Sequence, residues 1–202
     1  MLLQHYRAVT KPTLRWADHA PGGDAAVWGA KVVLHIRLGD AAERALPTGY
    51  YARAVSALRA ELSGSGRLPP LFRLQTNGRP QDLKRLLAQP GMNGSDIVLD
   101  PSRFFGGDPG QRSPLSLSFH RMVSADYFVM SRSALSVAAA LLSQGTVLFP
   151  ACWKEHRRPL ASWRLWPCCA DEAELPKGSS CFSEGNRAKW PFYSHGRETW
   201  VG

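Results

Sequence analysis

Lys31-Val32-Val33-Leu34-His35-Ile36-Arg37-Leu38, closed by Gly39-Asp40, is the stretch whose reading decides the fold of this chain. The run is apolar and β-branched, and its length suits a strand buried in a parallel sheet. Alternation sends His35 and Arg37 to one face and Leu34, Ile36 and Leu38 to the other. Desolvating a guanidinium inside a sheet without a partner is costly. Arg37 therefore belongs at the carboxyl end of the strand, where open α/β sheets form their ligand crevice. There its planar fork can hold a phosphate through two hydrogen bonds, a task it performs better than lysine. Gly39 allows a tight turn, and Asp40 can orient Arg37 or cap the next segment. The same residues have a competing reading, a satisfied structural His-x-Arg pair beside a Leu-Gly-Asp turn.

Outward from this strand, helix and strand patterns alternate. In 50–62, Tyr51, Val55, Leu58 and Leu62 recur on one helical face, and Gly64, Gly66, Pro69 and Pro70 end the segment. Residues 71–75 predict a second strand, broken by Asn77-Gly78. Pro80 suits the first turn of a helix reaching residue 89. Residues 97–99 predict a third strand, and 115–123 a helix after the aperiodic loop around Gly106-Gly107-Asp108-Pro109-Gly110. A fourth strand (127–130), a helix (134–142) and a fifth strand (146–149) complete the series. Five strands alternating with four helices predict a Rossmann-like open parallel sheet, with helices on both faces and right-handed crossovers. This domain spans 31–150. Residues 1–30 form an irregular segment. Residues 151–202 hold five of the seven tryptophans and all four cysteines, and are expected to pack on the domain as a short helix or two.

With 202 residues and 44% hydrophobic content, the chain has room for one domain with a tail and is too apolar to be wholly disordered. Its longest nearly apolar run, 134–142, is about half of what a bilayer span needs. The amino terminus lacks the order of a signal peptide, so a secretory address is expected to lie outside this chain. Golgi or secretory lumen follows if an upstream anchor exists, and the cytoplasm otherwise. The net charge of +9 favours anionic partners. The basic residues are scattered without a recognition motif, so nucleic acid is not the expected partner. Cys152, Cys168, Cys169 and Cys181 lack Cys-x-x-Cys spacing, which argues against zinc. Two bridges in an oxidising compartment and four buried thiols both remain open. The tail tryptophans read as core and covering residues, with a sugar-stacking surface as the alternative.

A second constellation runs from Ala125-Asp126-Tyr127-Phe128-Val129 through Met130-Ser131-Arg132-Ser133 to Ala134-Leu135-Ser136. It passes from strand through a serine-rich turn into a helix. Such a turn offers backbone N–H groups and the positive end of the helix dipole to an anion. Ser133 can add a hydroxyl donor, although capping by Ser131 or Ser133 explains the serines equally well. No phosphate-loop motif is present, and no Gly-x-Gly-x-x-Gly follows the first strand, which argues against NAD or FAD.

Together these segments resemble the donor domain of the fucosyltransferases that form α1,2 and α1,6 linkages or modify protein hydroxyls. His35-Ile36-Arg37-Leu38-Gly39-Asp40 is similar to that superfamily's His-x-Arg-x-Gly/Thr-Asp motif. The segment from Ala125-Asp126 to Ser136 resembles its Ala-Asp run leading into a Ser-Ser turn and helix. Gln75-Thr76-Asn77 with Asp82-Leu83 looks like its strand ending in Thr-Asp. The resemblance covers about residues 31–150. Ser133-Ala134 stands in place of Ser-Ser, and Asn77 in place of Asp. The family has two Rossmann-like halves with the acceptor between them, and this chain has room for one.

The resemblance implies one half of a GT-B glycosyltransferase, binding GDP-fucose for transfer to a hydroxyl of a glycan or glycoprotein acceptor without a metal ion or other cofactor. It implies Arg37 as the catalytic residue that stabilises charge on the departing β-phosphate. It further implies His35 as a guanine or ribose contact, with Asp40, Thr76, Asp126, Ser133 and Ser136 also binding the donor. A nucleotide-sugar or glycan binding module without transfer activity is the alternative.

Overall fold

The computed structural model describes residues 28–38, 45–64, 68–76, 78, 80–101, 114–153 and 160–168. Asp40, Asn77, the loop around Gly106, and Cys169 and Cys181 lie outside the described residues. The strands are β1 (Lys31–Ile36), β2 (Leu71–Thr76), β3 (Ile97–Pro101), β4 (Tyr127–Val129), β5 (Thr146–Pro150) and β6 (Arg164–Trp166). The helices are α1 (Thr48–Leu62), α2 (Pro80–Leu87), α3 (Pro114–Val123) and α4 (Ala134–Leu142). All six strands pair in parallel, in the order β3-β2-β1-β4-β5-β6. The open parallel α/β architecture expected from the sequence is therefore present, with one more strand than expected.

Alternation along β1 divides the core. Val32, Leu34 and Ile36 join Phe72, Leu74, Val129 and Leu148 on the face covered by α1 and α2, from which Tyr50, Tyr51, Val55, Leu58, Leu83 and Leu86 pack inward. Val33 joins Phe128, Val147 and Phe149 on the opposite face, against Met122 and Val123 of α3 and Ala139 and Ala140 of α4. The α1 face is almost wholly apolar. The α3 and α4 face is not, because Arg73, Gln75 and His35 share it with Val33 and are buried.

Chain order makes this arrangement a doubly wound sheet. From β1 the chain moves outward through β2 to the β3 edge, then returns across the sheet through α3 to enter β4 beside β1. From β4 it moves outward in the other direction. The two halves diverge between β1 and β4, and at such a switch point the loops after the strands separate and leave a crevice.

Beyond β5 the described residues add a strand that the sequence did not predict. This is β6, a strand of 3 residues. So short a segment has no readable period. It is held by pairing with β5, by Ala151 N–H donating to the Trp166 carbonyl at 2.9 Å, and by a Cys152–Cys168 disulfide. Trp153 and Trp163 both stack with Phe149, with centroids 5.9 and 5.7 Å away, and Trp166 is buried on the α1 face. These three tryptophans are core residues.

Two further contacts fix the ends of elements. The Arg59 guanidinium forms a two-pronged salt bridge to Asp96 at 2.8 and 2.9 Å, donates to the Gly91 carbonyl, and lies over the Phe72 ring. This ties α1 to the turn before β3. Gly145 lies so close to the Ala125 and Asp126 carbonyls that any Cβ there would displace the start of β4 or β5. Phe128, wholly buried at the centre of the α3 and α4 face, is the sharpest probe of this core. Phe128→Ala is expected to lower the unfolding free energy by about 3–5 kcal/mol, read from denaturant titrations.

Candidate functional site

The two segments singled out in the sequence meet at the switch point. β1 ends at Ile36, so Arg37 stands directly beyond its carboxyl end and is half-buried. β4 ends at Val129, and the turn through Ser131 and Ser133 leads into α4 at the same end of the sheet. His35 Nδ1 lies 2.6 Å from Ser136 Oγ and 3.1 Å from Ser131 Oγ, and the two hydroxyls are themselves 3.1 Å apart. The Ser131 N–H donates to Ser136 Oγ at 3.2 Å. All three side chains are buried, Ser136 completely.

This triangle is chemically specific. Ser136 Oγ already accepts the Ser131 amide, and it exchanges its remaining hydrogen bonds with Ser131 Oγ and the imidazole. Ser136 Oγ is committed to three protein partners, so the short Ser–His contact is a structural pair and not a hydrolase nucleophile and base. It instead fixes the plane of the His35 ring through Nδ1, leaving Nε2 as the ring nitrogen available to a ligand. Burial, and then the neighbouring Arg37 charge, lower the His35 pKa from 6.5 to about 4. The imidazole is therefore neutral at physiological pH.

Ser133 is the N-cap of α4. Its backbone is extended, its Oγ accepts the Leu135 N–H at 3.2 Å, and its carbonyl accepts the Val137 N–H. Capping uses one lone pair of the hydroxyl and leaves its hydrogen to donate. The helix N-terminus behind it points a partial positive charge into the crevice that Arg37 borders. From the other side, Tyr50 of α1 donates from its hydroxyl to the Met130 carbonyl at 3.1 Å. That bond ties the exit of β4, and so the serine turn, to the helix that follows β1.

Not every expected residue comes to this place. Asp126 precedes β4 and stands at the amino end of the sheet, where its carboxylate accepts the Lys31 N–H at 2.8 Å and its backbone bonds Lys31 and Thr146. The length of β1 separates it from the crevice by about 16 Å, given ~3.3 Å per residue. Asp126 is a strand-alignment residue and not part of the site. Thr76 is at the correct end, but its register partner is Ile36, so it sits on the α1 face rather than the His35 face. Its Oγ1 accepts the Gly78 N–H at 2.9 Å and closes the turn after β2. The position beside His35 belongs to Gln75. Ser131 and Gln75 are the residues at this site that sequence reading passed over, although the serine-rich turn was a visible signal for the first.

No family model and no curated protein matches this chain.

The His35 arrangement has a pH signature. The folded-state pKa lies below the unfolded value, so the unfolded chain binds the proton more readily. The contribution of neutral His35 is thus fully present above pH 6.5 and is lost as pH falls from there through about 4. Unfolding titrations between pH 4 and 8 are expected to show this slope in the wild type and a flatter one in His35→Gln. Ser136→Ala, which leaves the Ser131 amide and the imidazole without their shared partner, is expected to cost about 1–3 kcal/mol at pH 7.5.

Proposed function

We propose that this chain is the donor-binding half of a fucosyltransferase-like glycosyltransferase, taking GDP-fucose for transfer to a hydroxyl of a glycan or glycoprotein. The single observation that carries the reading is the hydrogen bond of 2.6 Å between His35 and Ser136. It joins the two segments that resemble the superfamily's donor motifs, and it does so at the crevice of a doubly wound sheet.

The chemistry follows from charge. Departure of GDP from the sugar places negative charge on the β-phosphate, and catalysis requires positive charge fixed there beforehand. Arg37 supplies a full charge at one wall of the crevice, and the N-terminus of α4 supplies a partial one with backbone donors at the other. Neither needs to reorganise as the bond breaks. His35, neutral and oriented, is a contact for guanine or ribose, since a group with so low a pKa is a poor base for an acceptor hydroxyl near neutrality. Asp40 keeps in this proposal the donor-binding role that the resemblance implies. The Cys152–Cys168 bridge supports an oxidising compartment such as the secretory lumen. Among the described residues no helix is long and apolar enough to cross a membrane.

Calorimetry with GDP, UDP and ADP tests the reading. GDP is expected to bind best. Arg37→Ala is expected to weaken it by about ten- to a hundredfold, as for loss of a charge-assisted contact worth about 1.5–3 kcal/mol. Arg37→Lys should recover only part, because an ammonium cannot reproduce a two-pronged contact. Equal binding of the three nucleotides would remove the guanine assignment. Absence of GDP binding by the folded wild type would end the donor-domain reading. GDP binding without transfer of fucose to any acceptor would leave a binding module.

A further inference from the structure

We propose that Gln75 is the specificity-determining residue of this crevice, reading the vicinal hydroxyls of the ribose of a bound nucleotide. The inference rests on the nucleotide-binding reading above and extends it to a residue to which the resemblance gives no role. Gln75 is the next-to-last residue of β2 and the register partner of His35, so the two side chains leave the same face at the carboxyl end of adjacent strands. Its residue exposure is 1%, and neither the amide oxygen nor the amide nitrogen meets a hydrogen-bond partner among the described residues.

That state is costly for a protein to keep. A buried carboxamide with both functions unpaired forfeits the hydrogen bonds it made in water, and a leucine of similar size would not. A ligand that brings an acceptor and a donor side by side removes the deficit on binding. A vicinal diol does so, since one hydroxyl can donate to Oε1 while the other accepts from Nε2.

Position selects the ribose from the rest of the nucleotide. The anion-binding elements, Arg37 and the α4 N-terminus, flank the gap between β1 and β4. β2 lies on the far side of β1, one strand spacing of about 4.8 Å outward. With the diphosphate held at the gap, the sugar attached to it falls over the next strand. In dinucleotide-binding sheets of the same strand order, the end of the second strand also holds a ribose hydroxyl, there through a carboxylate.

The test compares GDP with 2′-deoxy-GDP on the wild type and on Gln75→Leu, with thermal unfolding measured alongside. The wild type is expected to prefer GDP by about tenfold, the effect of one lost hydrogen bond of ~1.4 kcal/mol. Gln75→Leu is expected to bind both nucleotides equally and weakly, while its melting temperature in the absence of nucleotide stays level or rises. Wild-type protein that binds the two nucleotides equally overturns the proposal and leaves GDP binding intact. So does a leucine variant that keeps the preference, or one that melts markedly lower, since the carboxamide would then serve the fold. Wild-type protein that binds neither nucleotide overturns this inference and the donor-domain reading together.

Discussion

His35 and Ser136 are 101 residues apart in sequence and joined by one short, buried hydrogen bond. Much of the molecule is arranged around what that bond requires. Its partners sit beyond and within different chain halves, one at the end of β1 and one in the first turn of α4. They meet only because β1 and β4 are neighbours in a parallel sheet. That adjacency in turn depends on α3 carrying the chain back across the sheet from its β3 edge. The backbone around the bond is then fixed from both sides, by Ser131 N–H on Ser136 and by Tyr50 on the Met130 carbonyl. A crevice lined this way needs no rearrangement to present a neutral imidazole and a helix terminus together.

The two faces of the sheet divide labour. The α1 and α2 face is filled by aliphatic and aromatic side chains and supplies most of the burial that stabilises the fold. The opposite face gives up part of that stabilisation, where His35 and Gln75 at its carboxyl end and Arg73 at mid-strand occupy positions an apolar core would fill with valine or leucine. Arg73, in the middle of β2, is the largest of the wholly buried side chains. Polar groups in a core are expensive, and their concentration on one face at one end is the clearest structural mark of a site.

Much of this was legible in the sequence because the signals were local. Strands β1 to β5 and all four helices fall within two residues of where apolar runs, periodicity, Pro80 and the glycine breaks place them. β6 was not legible, since Arg164-Leu165-Trp166 is too short for periodicity and is held by pairing and a bridge that act across the chain. For the site, His35 and Arg37 were legible from alternation and Ser133 from its cap position. Thr76 was misplaced by one residue, and in a strand one residue changes the face. Asp126 was misplaced for a simpler reason: it precedes β4 while Ser133 follows it, and the two ends of one strand cannot serve one crevice. The partnership of β1 with β4, which creates the crevice, is a property of strand order, and no local pattern encodes it.

The Cys152–Cys168 bridge has a mechanical consequence. β6 is only three residues long and lies at the sheet's edge, so pairing alone would let it peel away one hydrogen bond at a time under tension from the chain beyond residue 168. With the bridge in place, a pull arriving at Cys168 passes through sulfur to Cys152, directly after β5, and bypasses β6 altogether. Arg53, donating to the Cys168 carbonyl at 2.9 Å, takes part of the same load into α1. Tension on the carboxyl-terminal segment is therefore carried by the interior of the sheet in shear, while its weakest strand stays slack.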